Sequence, residues 1–126
     1  MRDAADGDPR ALLPLPASAM YILTVLGEGP SHGYRIMTTV EGLSQGAVRL
    51  GPGTLYGALK RMVGQGLIEE IAERPAPDLD DERRRYYQLT GFGERVATAE
   101  LDRLAALTRA ARRRLPAPTR PALELS

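Results

Sequence analysis

The sequence contains no cysteine and no tryptophan, and among its 126 residues it holds a single histidine (His32), a single phenylalanine (Phe92) and a single lysine (Lys60). The lack of cysteine excludes a disulfide framework, a thiolate nucleophile and a cysteine-ligated zinc site. One histidine leaves no histidine-based metal cluster, and a Ser/His/Asp triad would have to be built on His32. A phosphate-cradling loop is missing too: Gly51-Pro52-Gly53 stands before a helix pattern but lacks the Lys-Ser/Thr of a P-loop. The acids Asp78, Asp80, Asp81 and Glu82 lack the spacing and the glycine of an EF-hand. An enzyme is therefore the weakest reading, and neither metal nor cofactor is expected.

Long apolar runs are also missing. The best candidate, residues 19–26, is interrupted by Thr24 and falls far short of the roughly 18 residues of a membrane span. The first ten residues carry three acids and lack the basic-then-apolar layout of a secretory signal, so the cytoplasm is the expected compartment and no membrane partner is expected. The charge has no dominant sign, with 17 basic against 16 acidic residues and a formal net charge of +1. Of the basic residues, 16 are arginine, so their placement matters more than their sum.

What is present fits one modest domain: 43% of residues are hydrophobic and 26% charged, enough to bury a core. Six of the ten prolines lie near the ends, at Pro9, Pro14, Pro16, Pro116, Pro118 and Pro121. Residues 1–16 thus read as a flexible arm and 116–126 as a disordered tail. Between them, Ala19, Ile22, Leu23 and Leu26 have the spacing of one buried helix face. Gly27 and Gly29 stop that helix, and Ser31 is placed to cap a second, in which Gly33, Ile36, Met37 and Val40 repeat the spacing. Residues 47–50 could form a very short strand. A third helix opens at Pro52 and runs to about Gln65, with Leu55, Leu59, Met62 and Val63 inward.

From Leu67 the period changes. Leu67, Ile68 and Ile71 are interleaved with Glu69, Glu70 and Glu73, then after a polar stretch at 75–83 Tyr87 and Leu89 alternate with Tyr86 and Gln88. This predicts a hairpin with a charged tip. Thr90 then caps a fourth helix whose Ala97, Leu101, Leu104, Thr108, Ala111 and Leu115 alternate steps of four and three. Three helices, a hairpin and a helix give a mainly α fold with a small β-hairpin. The order is that of a winged helix-turn-helix (residues 17–89), in which the third helix enters the major groove, followed by a C-terminal helix (90–115).

The third helix turns Thr54, Gly57 and Arg61 outward on one row and Tyr56 and Lys60 on the next. Hydroxyls can donate to phosphate, Arg or Lys can reach a guanine edge, and Gly57 lets the helix backbone approach DNA closely. The same residues also fit an ordinary solvated helix face. Arg83, Arg84 and Arg85 open the second hairpin strand, where a cationic wing can lie along a phosphate backbone. Pairing with the neighbouring acids at the tip is the competing reading. Ser31, His32 and Tyr34 begin the second helix, whose N-terminus offers N–H groups and a positive dipole end to a phosphate. On the fourth helix, Ala97, Leu101, Leu104, Thr108 and Ala111 form a seam that packs either on its own domain or on a second copy. A long helix projecting from a small unit has little of its own surface to cover, which favours a twofold dimer.

These segments, taken together, resemble the PadR family of bacterial transcriptional regulators, in particular short members with one C-terminal dimerisation helix. The resemblance rests on His32-Gly33-Tyr34-Arg35-Ile36, on Gly53-Thr54-Leu55-Tyr56-Gly57-Ala58-Leu59-Lys60-Arg61-Met62, on Gly66-Leu67-Ile68, and on Arg84-Arg85-Tyr86-Tyr87-Gln88-Leu89-Thr90. It covers about residues 17–115. It implies a homodimeric repressor on double-stranded palindromic operators, often released by an aromatic small molecule or an environmental cue. The chain departs from the family at Gly57, where Pro is common, and at Val63, where Glu is common. Members that bind flat drugs use aromatic side chains on the terminal helix or the N-terminal segment, and this chain has no aromatic after Phe92. A winged-helix module that binds another protein and not DNA is the main alternative; a continuous positive patch over the third helix and the wing would separate the two.

Overall fold

α1 (Ala17–Leu26) is entered through Pro16 and buries Ala19, Ile22, Leu23 and Leu26, the expected face, together with Val25. In the computed structural model, which describes residues 7–71 and 85–117, this helix lies at the centre of one apolar core. A two-residue strand, β1 (Ser31–His32), leads directly into α2 (Gly33–Leu43). The cap of α2 is His32 and not Ser31: the imidazole Nδ1 accepts the Arg35 N–H at 3.3 Å, while Ser31 is buried in the strand. After α2, the Ser44 hydroxyl accepts the Val48 N–H at 2.9 Å, and Gln45 and Gly46 adopt positive φ. Residues 47–50 are accordingly no strand: the Val48 N–H that a ladder would need is held by a side chain.

α3 (Pro52–Gly64) starts with proline in its first turn, where the missing N–H costs nothing. Its buried stripe is Leu55, Ala58, Leu59 and Met62. Val63, read from the sequence as inward, is 39% exposed, because the stripe closes on Ala58 and leaves position 63 beyond its edge. Beyond the Gln65 cap, Gly66, whose φ of 79° reverses the chain, allows the Leu67 N–H to reach back to the Met62 carbonyl at 3.0 Å.

The hairpin comprises β2 (Ile68–Ile71) and β3 (Tyr86–Leu89), antiparallel, with Ile68 opposite Leu89 and Glu70 opposite Tyr87. β3 is the middle strand, since β1 pairs on its other side with Ser31 opposite Tyr87 and His32 opposite Tyr86. That third strand buries Tyr86 as well as Tyr87: the His32 ring meets the Tyr86 ring edge-on, with centroids 5.3 Å apart. The simple alternation expected for 86–89 fails for this reason. The tip of the hairpin, including Arg83 and Arg84, lies outside the described residues, as do 1–6 and 118–126.

α4 (Gly91–Arg114) is capped as expected, with the Thr90 hydroxyl accepting the Gly93 N–H at 2.9 Å. Only its first part is buried, through Phe92, Gly93, Val96 and Glu100. Glu100 is the unexpected member. Its carboxylate, 2% exposed, accepts the Leu15 N–H at 3.1 Å and two bonds from the Arg103 guanidinium at 2.6 and 2.9 Å. Residues 8–15 therefore differ from the reading of residues 1–16 as a flexible arm, while residues 1–6 lie outside the described residues. Pro9–Leu12 form a 3-10 turn capped by Asp8, Leu12 and Leu13 pack on the core, and Leu15 is buried. Proline density signals an extended chain, but the interleaved leucines supply apolar surface that outweighs it.

Two outcomes test these contacts. A Cβ at position 93 would overlap the Leu67 carbonyl oxygen, a backbone atom that cannot rotate away. Gly93→Ala should therefore destabilise the protein by about 2 kcal/mol or more despite its better helix propensity, measured by urea unfolding. For Glu100, the Arg103 guanidinium holds the carboxyl below its ordinary value, an effect that burial opposes and the Leu15 N–H reinforces. A lowered folded-state value means stability that is present above the ordinary carboxylate value and lost as pH falls from there through the lowered one. Glu100→Gln should thus lower the melting temperature by a few degrees at pH 7, and the difference from the parent should shrink at about pH 3.5.

Candidate nucleic-acid interface

The outward side of α3 is formed by its first and second rows. Thr54, Lys60 and Arg61 are exposed, and Gly57 is half-buried with only the Arg61 guanidinium near the place a Cβ would take. No packing within the domain demands a glycine at 57, so the open backbone there is available to a partner. Tyr56, 46% exposed, behaves differently. Its hydroxyl and ring lie against Gly33, the first residue of α2, so closely that any side chain at 33 would collide with them. The ring braces the start of α2 against α3 and still offers part of its edge to solvent.

At the start of α2 the three residues singled out from the sequence separate. Ser31 is buried and withdrawn from the surface. His32 is half-buried, its Nδ1 used in the cap and its ring set on Tyr86. Tyr34 is 63% exposed. Of the three, Tyr34 alone is fully presented.

On the wing, Arg85 is exposed, and its Nε lies 3.6 Å from Glu70 Oε2. Arg85, Glu70 and Tyr87 form one wall of a cleft of about 380 Å³ whose other wall is Tyr56, Lys60 and Val63 of α3. The structure therefore brings Tyr56, Lys60 and Arg85 together. The Tyr87 phenol is pushed up from its ordinary value, first by burial and next by the negative charge of Glu70; the positive charge of Arg85 opposes this, Tyr56 adds a smaller upward push, and a hydrogen bond with Arg85 a smaller opposing one. Sequence reasoning missed Glu70 and Tyr87 as neighbours here. Their juxtaposition depends on hairpin register, and the long tip left that register open. The spacing from Leu67 to Thr90 was the available signal, because both ends of the hairpin are anchored there.

Farther along α4, the residues of the apolar seam are incompletely covered in the single chain. Leu101 is 54% exposed, Thr108 is exposed, and Ala97, Leu104 and Ala111 are half-buried; Leu107, outside the seam, is 55% exposed as well. Basic residues Arg112, Arg113 and Arg114 occupy the last turn, where they complement the helix dipole. Among the described residues, no group of three or more His, Cys, Asp or Glu side chains could hold a metal ion, and no helix is long and apolar enough to cross a membrane.

Comparison with known proteins places this geometry. Residues 22–99 match the transcriptional regulator PadR-like family. An uncharacterised 37.1 kDa protein in transposon TN4556 of Streptomyces fradiae is 36% identical over 89 residues, covering 71% of this chain; that stretch is 23% of the relative's own length. Among solved structures, a PadR family transcription regulator from hypervirulent Clostridium difficile R20291 aligns with a TM-score of 0.66 at 24% identity, covering 80% of this chain and all of that one. A complex structure of RosR of H. salinarum aligns with a TM-score of 0.65 at 29% identity over 79% of each chain. The fold is thus the winged helix that these structures share, and this chain belongs to the PadR-like family of transcriptional regulators.

Proposed function

We propose that the protein is a homodimeric repressor that reads a palindromic operator in double-stranded DNA through α3, steadied by the wing. The observation that carries this reading is the shared cleft: Lys60 on α3 and Arg85 on the wing face one another across about 380 Å³, next to the open row of Thr54, Gly57 and Arg61. That arrangement supports α3 in the major groove with the adjoining phosphate strand between helix and wing. Thr54, Gly57 and Lys60 approach base edges or phosphates, and Tyr34 and the exposed edge of Tyr56 contact the backbone. Arg83 and Arg84 extend the wing contact.

The reading unit is residues 17–89, and residues 90–115 join two copies. Ala97, Leu101, Leu104, Thr108 and Ala111 meet their counterparts around a twofold axis, which removes the exposed leucines from water. The two recognition helices then meet half-sites about 34 Å apart. An effector that releases the operator would act through this helix pair. With no aromatic after Phe92, it would be held there by aliphatic and arginine side chains and not by ring stacking.

Selection of bound fragments from a random duplex library should enrich a palindrome. Absence of enrichment at low salt would favour the protein-interaction module instead. On the selected site, Lys60→Ala should cost roughly 1–3 kcal/mol if the ammonium reads a base edge, and flatten the salt slope by about one if it meets a phosphate. Leu101→Asp combined with Leu104→Asp should yield monomers in sedimentation velocity; a dimer that persists would show that the seam is not the interface.

A further inference from the structure

Glu70 places a carboxylate in the middle of a surface read above as a seat for a polyanion. It stands on β2 opposite Tyr87, is partly exposed, and shares the cleft with Lys60 and Arg85. The fold does not require a charge there. Its neighbour Glu69 is bonded to Gln88 at 2.7 Å, whereas Glu70's ion pair is a loose contact to Arg85 at 3.6 Å between two exposed side chains. Such a pair contributes little to stability, and salt screens it. Its position, however, decides whether the guanidinium is available to a phosphate.

We propose that the cleft between α3 and the wing seats a backbone phosphate of DNA, and that Glu70 competes with that phosphate by holding Arg85 in the free protein. This rests on the DNA-binding reading above. Before DNA arrives, Arg85 points to the carboxylate, with Lys60 across the cleft and the Tyr56 and Tyr87 rings beside them. A phosphate entering the cleft must take the guanidinium from Glu70 and tolerate the carboxylate left nearby. Binding driven by phosphate contacts alone is held down by this competition. Sequence-independent binding depends almost wholly on such contacts, so Glu70 limits the occupancy of arbitrary DNA.

The test uses the full chain and a duplex of random sequence, with binding followed by fluorescence anisotropy between about 50 and 200 mM salt. Glu70→Gln should bind roughly three- to tenfold more tightly at the lowest salt, and its log K against log salt slope should steepen by about 0.9 per bound subunit. Arg85→Ala should weaken binding more in the Glu70→Gln background than in the parent, because only there is the guanidinium already released. Unchanged or weaker binding by Glu70→Gln, with the melting temperature preserved, overturns the proposal; Glu70→Thr, well suited to a strand, replaces it if the first variant unfolds. A gain of the same size with Arg85 absent also overturns it, since the effect would then be simple loss of negative charge. Binding by the parent with no response to Glu70→Gln defeats this inference alone. Failure of both proteins to bind duplex at the lowest salt defeats the DNA reading with it.

Discussion

The carbonyl oxygen of Leu67 ties the recognition helix, the wing and the long C-terminal helix to one another. It accepts the Thr90 N–H at 3.1 Å, the Leu67 N–H closes the end of α3 on the Met62 carbonyl, and the β2–β3 ladder begins at the next residue. The Thr90 hydroxyl completes the junction by donating to the Gly66 carbonyl at 2.6 Å while accepting from Gly93. Leu67 is fully buried, so these groups have no water to fall back on, and loss of one partner leaves an unsatisfied polar group in the core. Position 93 must be glycine for α4 to come this close. A helix that starts here cannot tilt by much without moving the hairpin base and the end of α3.

That constraint fixes how α4 is rooted in the domain. Most of the seam of α4 lies beyond Glu100, whereas the buried residues of the helix, Phe92, Gly93, Val96 and Glu100, all lie in its first half. Glu100 marks the boundary, holding the N-terminal segment through the Leu15 N–H on one side and Arg103 on the other. The helix is therefore rigidly rooted at one end and unpartnered at the other, and a partner gripping the free end would set the orientation of α3 by leverage through the root. A second brace, the Tyr56 ring on Gly33, fixes α2 against α3 independently of α4. The relative placement of α2, α3, the wing and the root of α4 is thus fixed within one chain.

The sequence made the helices legible because their apolar residues recur at helical spacing, and it made Thr90 legible because a Thr before a periodic run has one common use. It failed where structure depends on a partner distant in the chain. β1 is two residues long, with no period to detect, yet it moves β3 to the centre of the sheet and buries Tyr86. Ser31 was the better cap by propensity, but strand pairing took it and left the role to His32. Nothing local distinguishes Glu100 from an ordinary surface glutamate on a charged helix; its burial follows from a leucine 85 positions earlier. In the site, the row on α3 was readable from spacing alone. The Glu70, Arg85 and Tyr87 cluster was not, because it required the register of a hairpin whose tip gives no turn signature.

Charge illustrates the same limit. A net charge of +1 carries no hint of a polyanionic partner. What matters for binding is how far each cation is already committed. Arg103 is held by a buried carboxylate and Arg85 by an exposed one, while Lys60 and Arg61 stand on the outer side of α3. A buried partner takes a charge out of play, whereas an exposed partner makes it conditional on what competes for it. On the proposed reading, the second case would let a nearly neutral protein bind DNA without being drawn strongly to every stretch of it. Arginine suits that role better than lysine, because its planar fork presents several donors that fit a carboxylate or a phosphate.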